Sequence, residues 1–167
     1  MTAPLVGILM GSKSDYDLVA PACEMLTHLG ISYEAKVLSA HRTPDETTEY
    51  AASAEKRGMF CIITAAGGAA HLGGVVASKT MLPVLGIPIP STSLNGMDSL
   101  LSIVQMPPGI PVATFSIGKW GATNAAIFAA QIIAAAKPEV REKLRAWRES
   151  RARDVLSQTL PAQAPLA

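Results

Sequence analysis

CIITAAGGAAHLGGV, residues 61–75, sets the reading of the whole chain. Its opening residues are apolar and partly β-branched, the composition of a buried central strand. The run stops at Ala65-Ala66-Gly67-Gly68-Ala69-Ala70, a segment with almost no side chains, and His71 follows. With so little side chain in the way, backbone N–H groups there can come close to a ligand. Two other runs end in the same manner. Residues 5–10 (LVGILM) lead into Gly11-Ser12-Lys13-Ser14-Asp15, and residues 33–38 (YEAKVL) into Ser39-Ala40-His41-Arg42. Three strands finishing in small, polar or ionisable residues are what a parallel sheet needs to build a ligand site along its C-terminal edge.

Outward from these runs, the pattern alternates strand and helix. A helix is expected over 15–29, with Leu18, Val19, Ala22, Met25, Leu26 and Leu29 on one face and Gly30 as its stop. Thr43-Pro44-Asp45-Glu46 has the form of a helix start, with Thr43 as cap, Pro44 in first position and Glu46 closing a capping box. That helix runs to Lys56 or Arg57, and Gly58 ends it. After the strand 61–64 a helix is expected over 72–81. Prolines 83, 88 and 90 leave room only for a short fourth strand, 84–87. A short helix over 97–104, a fifth strand over 110–115 and a helix over 122–136 follow. Eight of the fifteen residues in that last helix are alanine, so backbones can pack closely against it.

Pro138 opens a final amphipathic helix to about Leu156. Its apolar stripe is Val140, Leu144, Trp147 and Val155, and its charges are Arg141, Lys143, Arg145, Arg148, Arg151 and Arg153. Five strands alternating with helices through short loops predict a three-layer, doubly wound parallel α/β sheet. The strand order 2-1-3-4-5 is favoured, because it places the first and third strands beside the switch point. One domain is expected over 1–157, with 158–167 unstructured. The last helix, coming after a complete set of βα units, is expected to extend to a neighbouring subunit.

Composition narrows the function classes. A chain of 167 residues suits one well-buried core. Hydrophobic residues make up 49% and charged residues only 16%, below the usual quarter, so part of the surface is expected to be covered in a homo-oligomer. Net charge is +1 with no basic cluster before the last helix, which is no footprint for nucleic acid. Cys23 and Cys61 carry no ligand spacing and read as reduced core residues of a cytoplasmic protein. A strand begins within five residues of the start, leaving no room for a signal peptide. No apolar stretch reaches the ~20 residues of a membrane span, so no membrane partner is expected.

The three strand-end loops hold the candidate chemistry. Gly11 to Asp15 matches neither GxxxxGK[ST] nor GxGxxG, so a nucleotide or dinucleotide cofactor has no support. It does set hydroxyls, a helix N-terminus and a carboxylate together; the helix end favours an anion, and Asp15 suits ribose or amine hydrogens. His41 in an exposed loop can transfer protons near neutral pH, and Arg42 can fork onto a phosphate. Taken singly each has a plainer reading: Ser14 and Asp15 as helix caps, His41-Arg42 as a surface pair, His71 as a cap. His28, among lipophilic neighbours, reads as structural. No histidine–acid triad, zinc spacing or CxxC is present. Together the loops predict a small cleft for a phosphorylated, hydroxylated metabolite, with an imidazole moving protons.

At this resolution the chain resembles the PurE family, the class I N5-carboxyaminoimidazole ribonucleotide mutases of bacterial purine biosynthesis. The resemblance is carried by Met10-Gly11-Ser12-Lys13-Ser14-Asp15, Ser39-Ala40-His41-Arg42-Thr43-Pro44, Gly67-Gly68-Ala69-Ala70-His71-Leu72 and Pro83-Val84-Leu85-Gly86. DSLLSIVQMPPGIP at 98–111 and Asn124-Ala125-Ala126 add to it, all in order and at family spacing. It implies a flavodoxin-like, octameric enzyme without metal, flavin or nucleotide cofactor. It implies that Ser12, Asp15 and Arg42 hold the ribose phosphate of the substrate, helped by Ser39 and the backbone of Gly67, Gly68 and Ala69. It makes His41 the acid–base group and places His71 against the carboxylate and CO2.

The chain departs from the family pattern at several places. A usual Leu-Pro-Gly reads Leu72-Gly73-Gly74, and a usual Ala-Gly-Ala-Gly-Gly reads Thr64-Ala65-Ala66-Gly67-Gly68. Trp120 stands where a small residue is usual. Ala65 in place of glycine requires a negative φ there. The alternatives are a class II enzyme that carboxylates aminoimidazole ribonucleotide directly with CO2, a non-enzymatic flavodoxin-like nucleotide-binding module, and a structural subunit of the same fold. The class II serine–asparagine loop is absent from the His71 segment.

Overall fold

In the computed structural model, residues 3–91 and 93–161 are described. The strands are β1 (Val6–Met10), β2 (Tyr33–Val37), β3 (Cys61–Gly67), β4 (Val84–Ile89) and β5 (Ala113–Thr114). They pair in parallel in the order β2-β1-β3-β4-β5, the order favoured from the sequence. The helices are α1 (Tyr16–His28), α2 (Pro44–Ala54), α3 (Leu72–Ala77), α4 (Met97–Val104), α5 (Lys119–Ala134) and α6 (Pro138–Leu156).

Because successive strand residues face opposite ways, the continuous apolar runs of β1 and β3 feed two cores. Ile8, Ile63, Leu85 and Ile87 meet α1 and α5 on one face, with Val140 and Leu144 of α6 packed behind. Leu9, Ile62, Ala66 and Val84 meet Tyr50 and Ala51 of α2, Leu72 and Val76 of α3, and Ile103 of α4 on the other. Each fully buried Leu or Ile contributes about 1.5–3 kcal/mol of transfer free energy. The alanines of α5 are absorbed here: Ala122, Ala125, Ala126, Ala129 and Ala130 are buried against the chain's own core. Gly121 is required for the same close approach, since a Cβ there would stand 1.7 Å from the Ser116 carbonyl oxygen.

Several element bounds differ from the sequence reading. β3 continues three residues past Thr64, because Ala65, Ala66 and Gly67 find ladder partners in Ile87, Pro88 and Ile89. β4 therefore runs through Pro88. The Pro88 carbonyl accepts from the Gly118 N–H at 2.9 Å, so its nitrogen faces a side where β5 has already ended and no ladder donor is needed. β5 shrinks from six residues to two, as Pro111 has no N–H to give. α3 stops at Ala77, where the Ser78 N–H closes on Gly74 and its hydroxyl donates to Val75. α5 starts at Lys119, ahead of Ala122.

β2 is the edge strand, and its residues are half-buried to exposed rather than core. Glu34 and Lys36 mark it as such, and an ion pair from Glu34 to Arg57 ties it to the turn after α2 across the Tyr50 ring. On α6, Val140 and Leu144 are buried, whereas Val155 is exposed, so the expected stripe covers only the first half of the helix. Residues 158–161 carry no regular secondary structure; the remainder of the expected tail lies outside the described residues.

Candidate active site

The C-terminal ends of β1, β2 and β3 converge on a cleft of about 260 Å³. Ser12, Asp15, Ser39, His41, Arg42, Gly67 and His71 line it, together with Gly11, Ala40, Ala66, Ala70 and Leu72. Of the residues singled out by sequence, Gly68 and Ala69 form the turn behind the cleft without lining it. Ala66, Ala70 and Leu72 are walls that carry no chemical signal of their own, so only the fold could place them.

Past β1 the chain makes a single 3-10 turn, Lys13–Asp15, before α1. Ser12 caps it, accepting from the Ser14 N–H at 3.3 Å and from the Ser14 hydroxyl at 2.8 Å. With its lone pairs so used, the Ser12 hydroxyl has its own hydrogen left for an anion. Burial raises the Asp15 carboxyl above its ordinary value of 3.8, outweighing the Ser14 hydroxyl, the Ser12 backbone and the Arg42 charge, which favour the anion. Its position at the cleft wall accounts for that desolvation.

The loop after β2 is closed by Thr43, and not in the way the sequence suggested. The expected capping box does not form. The Thr43 hydroxyl accepts from the Ser39 N–H at 2.8 Å and donates to the Ser39 carbonyl at 3.1 Å, while the Thr43 N–H also reaches that carbonyl at 2.9 Å. The Thr43 N–H that Glu46 was to bind is already taken. The bracket ties off Ser39 to Thr43 as one tight loop and sets its two central side chains. Arg42 is oriented by the Ser39 hydroxyl, which accepts from its backbone N–H and its Nε at 3.3 Å each, and its Nη2 donates to the Gly11 carbonyl. Among the described residues no carboxylate lies within ion-pair distance of Arg42. An exposed guanidinium held only by neutral partners, across from a capped turn, has donors free to meet an anion.

The loop after β3 is strained where it turns. Gly68 takes a φ of +62° and Ala70 one of +46°, and the Ala70 N–H returns to the Gly67 carbonyl at 3.2 Å. A left-handed alanine costs about 1–2 kcal/mol, and here it delivers His71 to the cleft. His71 occupies the N-cap position of α3 but makes no side-chain cap. Its Nδ1 lies 2.8 Å from His41 Nε2, with the rings edge-on at 79°. One ring must donate and the other present a lone pair, so this contact holds one shared proton and excludes a pair of imidazolium cations. Ala65 has a negative φ, as its replacement of glycine requires.

The remaining sulfur and imidazole groups take no part. Cys23 and Cys61 are buried and unpaired, and burial pushes the Cys61 thiol up to about 12. His28 sits at the end of α1, remote from the cleft lining. No group of metal-ligating side chains occurs among the described residues.

This arrangement has relatives. The family model described as AIR carboxylase matches residues 5–154. An N5-carboxyaminoimidazole ribonucleotide mutase of Bacillus subtilis is 58% identical over 92% of this chain and 94% of its own. One of Saccharolobus solfataricus is 55% identical over 95% and 99%. Among solved structures, PurE of Treponema denticola superposes with a TM-score of 0.82 at 32% identity, covering 92% of this chain and 94% of that one. The family match spans all three cleft loops, and the chain belongs to the AIR carboxylase family, as a PurE-type α/β protein.

Proposed function

We propose that this chain converts N5-carboxyaminoimidazole ribonucleotide to 4-carboxyaminoimidazole ribonucleotide in purine biosynthesis. The observation that carries the reading is the His41–His71 contact at the edge of a cleft whose other side is an uncommitted guanidinium and a capped turn. Relatives more than half identical to this chain bear the name of that mutase.

The residues divide the work. Arg42, Ser12 and Ser39 hold the phosphate, Asp15 accepts from ribose hydroxyls, and the Gly67 backbone, the part of the Gly67 to Ala69 segment that lines the cleft, lies against the sugar phosphate. His41, as a proton donor, protonates the exocyclic nitrogen; the N–C bond to the carboxyl group breaks, releasing CO2 and leaving an electron-rich aminoimidazole. Ring carbon C4 then bonds to the CO2 carbon, and neutral His41 takes the C4 proton, restoring its starting state. His71 orients the His41 ring and lines the space that keeps CO2 near C4, where proximity makes recapture outrun escape. Nothing is oxidised and no nucleotide is consumed, so the reaction balances without a metal, flavin or nucleotide cofactor.

The reading includes a homo-octamer in the cytoplasm, with the outer half of α6 reaching a neighbouring subunit. Met97, Leu101 and Val104 form an exposed stripe on α4, Trp120 is 82% exposed, and Val155 and Leu156 stand clear of their own chain. Two unpaired cysteines fit a reducing compartment, and no described helix is long and apolar enough to cross a membrane.

The test incubates the pure protein with N5-carboxyaminoimidazole ribonucleotide, without ATP or added bicarbonate, and follows the C4-carboxylated isomer by absorbance. Turnover is expected. A folded protein that instead acts only on aminoimidazole ribonucleotide plus CO2 would move it to the direct carboxylases.

A further inference from the structure

We propose that Thr64 and Gly73 are a matched pair of positioning residues: together they set the height of α3 over the sheet and so hold His71 within reach of His41. The functional side of this rests on the proton-transfer role given above to that histidine pair; the structural side does not.

Gly73 is buried in the first turn of α3, two residues after His71. A Cβ on it would stand 3.1 Å from Thr64 Oγ1, tighter than such contacts normally run, and in ordinary contact with Val112 Cγ1 at 3.5 Å. Thr64 lies beneath it on β3, 1% exposed, and its hydroxyl has no hydrogen-bond partner among the described residues. What Thr64 supplies in this layer is therefore bulk. It has little room to yield, because the space over its ladder neighbour Gly86 is already filled. A Cβ there would meet Ile103 Cγ2 at 2.6 Å and Val112 Cγ1 at 3.0 Å.

An atom added at position 73 must then lift α3 rather than displace the strand side chain. His71 has no side-chain cap to anchor it, and its place comes from the backbone of that first turn, where its carbonyl accepts from the Val75 N–H at 3.0 Å. A shift of a few tenths of an ångström lengthens the 2.8 Å ring–ring hydrogen bond toward the upper end of good geometry and weakens it.

The experiment compares wild type with Gly73→Ala, Thr64→Ala, the double variant and Thr64→Val, the last keeping the bulk while removing the hydroxyl. Gly73→Ala is expected to lower kcat about tenfold with KM within about twofold, and to move the limbs of the pH profile. Adding Thr64→Ala should return kcat to within about twofold of Thr64→Ala alone, whereas Thr64→Val should match wild type and fail to rescue Gly73→Ala. Nitrogen-15 spectra of the imidazoles give a readout that needs no turnover: the His41–His71 hydrogen-bond signature is expected at full strength in wild type and the double variant and weakened in Gly73→Ala. If wild type proves inactive on the ribonucleotide but the spectra follow this pattern, the functional reading fails and the positioning pair stands. Equal impairment of Gly73→Ala and the double variant, or an unchanged ring signature in Gly73→Ala, overturns the pair. Should Gly73→Ala not fold, Thr64→Ile loads the same contact from the strand, and an undisturbed ring signature there overturns it as well.

Discussion

Arg42 enters the cleft with its hydrogen bonds spent only on neutral oxygens, those of Ser39 and Gly11. Replacing it with alanine should weaken ribonucleotide binding by about 1.5–3 kcal/mol, the range for hydrogen bonds to charged groups, as read by calorimetry. His41→Asn keeps a polar side chain that cannot cycle a proton near neutral pH. Turnover should fall toward the upper part of the 10²–10⁴-fold range for general acid–base assistance, because one group serves two transfers, while substrate affinity holds. Asp15 makes a prediction about stability. Its folded carboxyl titrates above 3.8, so the native state binds more protons than the unfolded chain just above that pH. The cost of ionising it is absent in stronger acid and is fully imposed once pH has risen past the folded value. Asp15→Asn should therefore gain on wild type in urea midpoint between pH 3.5 and 6. A difference that narrows over this interval would contradict the desolvation.

At the level of the element, the start of α2 separates two uses of one sequence signal. Thr43 and Glu46 have the spacing of a capping box, yet the Thr43 hydroxyl and N–H both turn back to Ser39. Glu46→Ala should then cost less than about 0.5 kcal/mol, as a surface change away from any cap does. Thr43→Ala removes both hydroxyl bonds and should cost about 1 kcal/mol or more and also raise KM, because the loop it closes carries His41 and Arg42. Thr43→Ser should restore both. Equal losses of stability for Glu46→Ala and Thr43→Ala would restore the capping box.

For the molecule as a whole, the surface is what the single chain leaves unfinished. Met97, Leu101 and Val104 recur at helical spacing on the outer side of α4, each about half exposed or more. Static light scattering should give a mass several times 17.4 kDa at micromolar concentration. Leu101→Glu puts a charge in that stripe and should shift the mass downward without lowering the melting temperature of the released subunit, since the side chain adds little to its own core. A wild-type mass near that of one chain would refute the assembly.

The sequence by itself favours the strand order without fixing it, and determined the alternation of strands and helices, the identity of both histidines, and the arginine and serine facing them. These are local: apolar period, glycine stops and strand-end polar residues each depend on a few neighbours. α4 and α6 end where the pattern says, at Val104 and Leu156, because period and proline act within the element. What only the tertiary structure decided depends on partners distant in the chain. β3 runs on to Gly67 because β4 is there to pair with it, while β5 is cut to two residues by what it can reach on β4. β2 is read as apolar in isolation but lies at an edge, and the alanines of α5 are taken up by the chain's own core. Thr43 prefers a loop carbonyl four residues back to the helix it precedes. The 2.8 Å between His41 and His71 joins residues thirty positions apart. No local rule encodes that distance; it follows from where a left-handed alanine and a buried glycine allow α3 to sit.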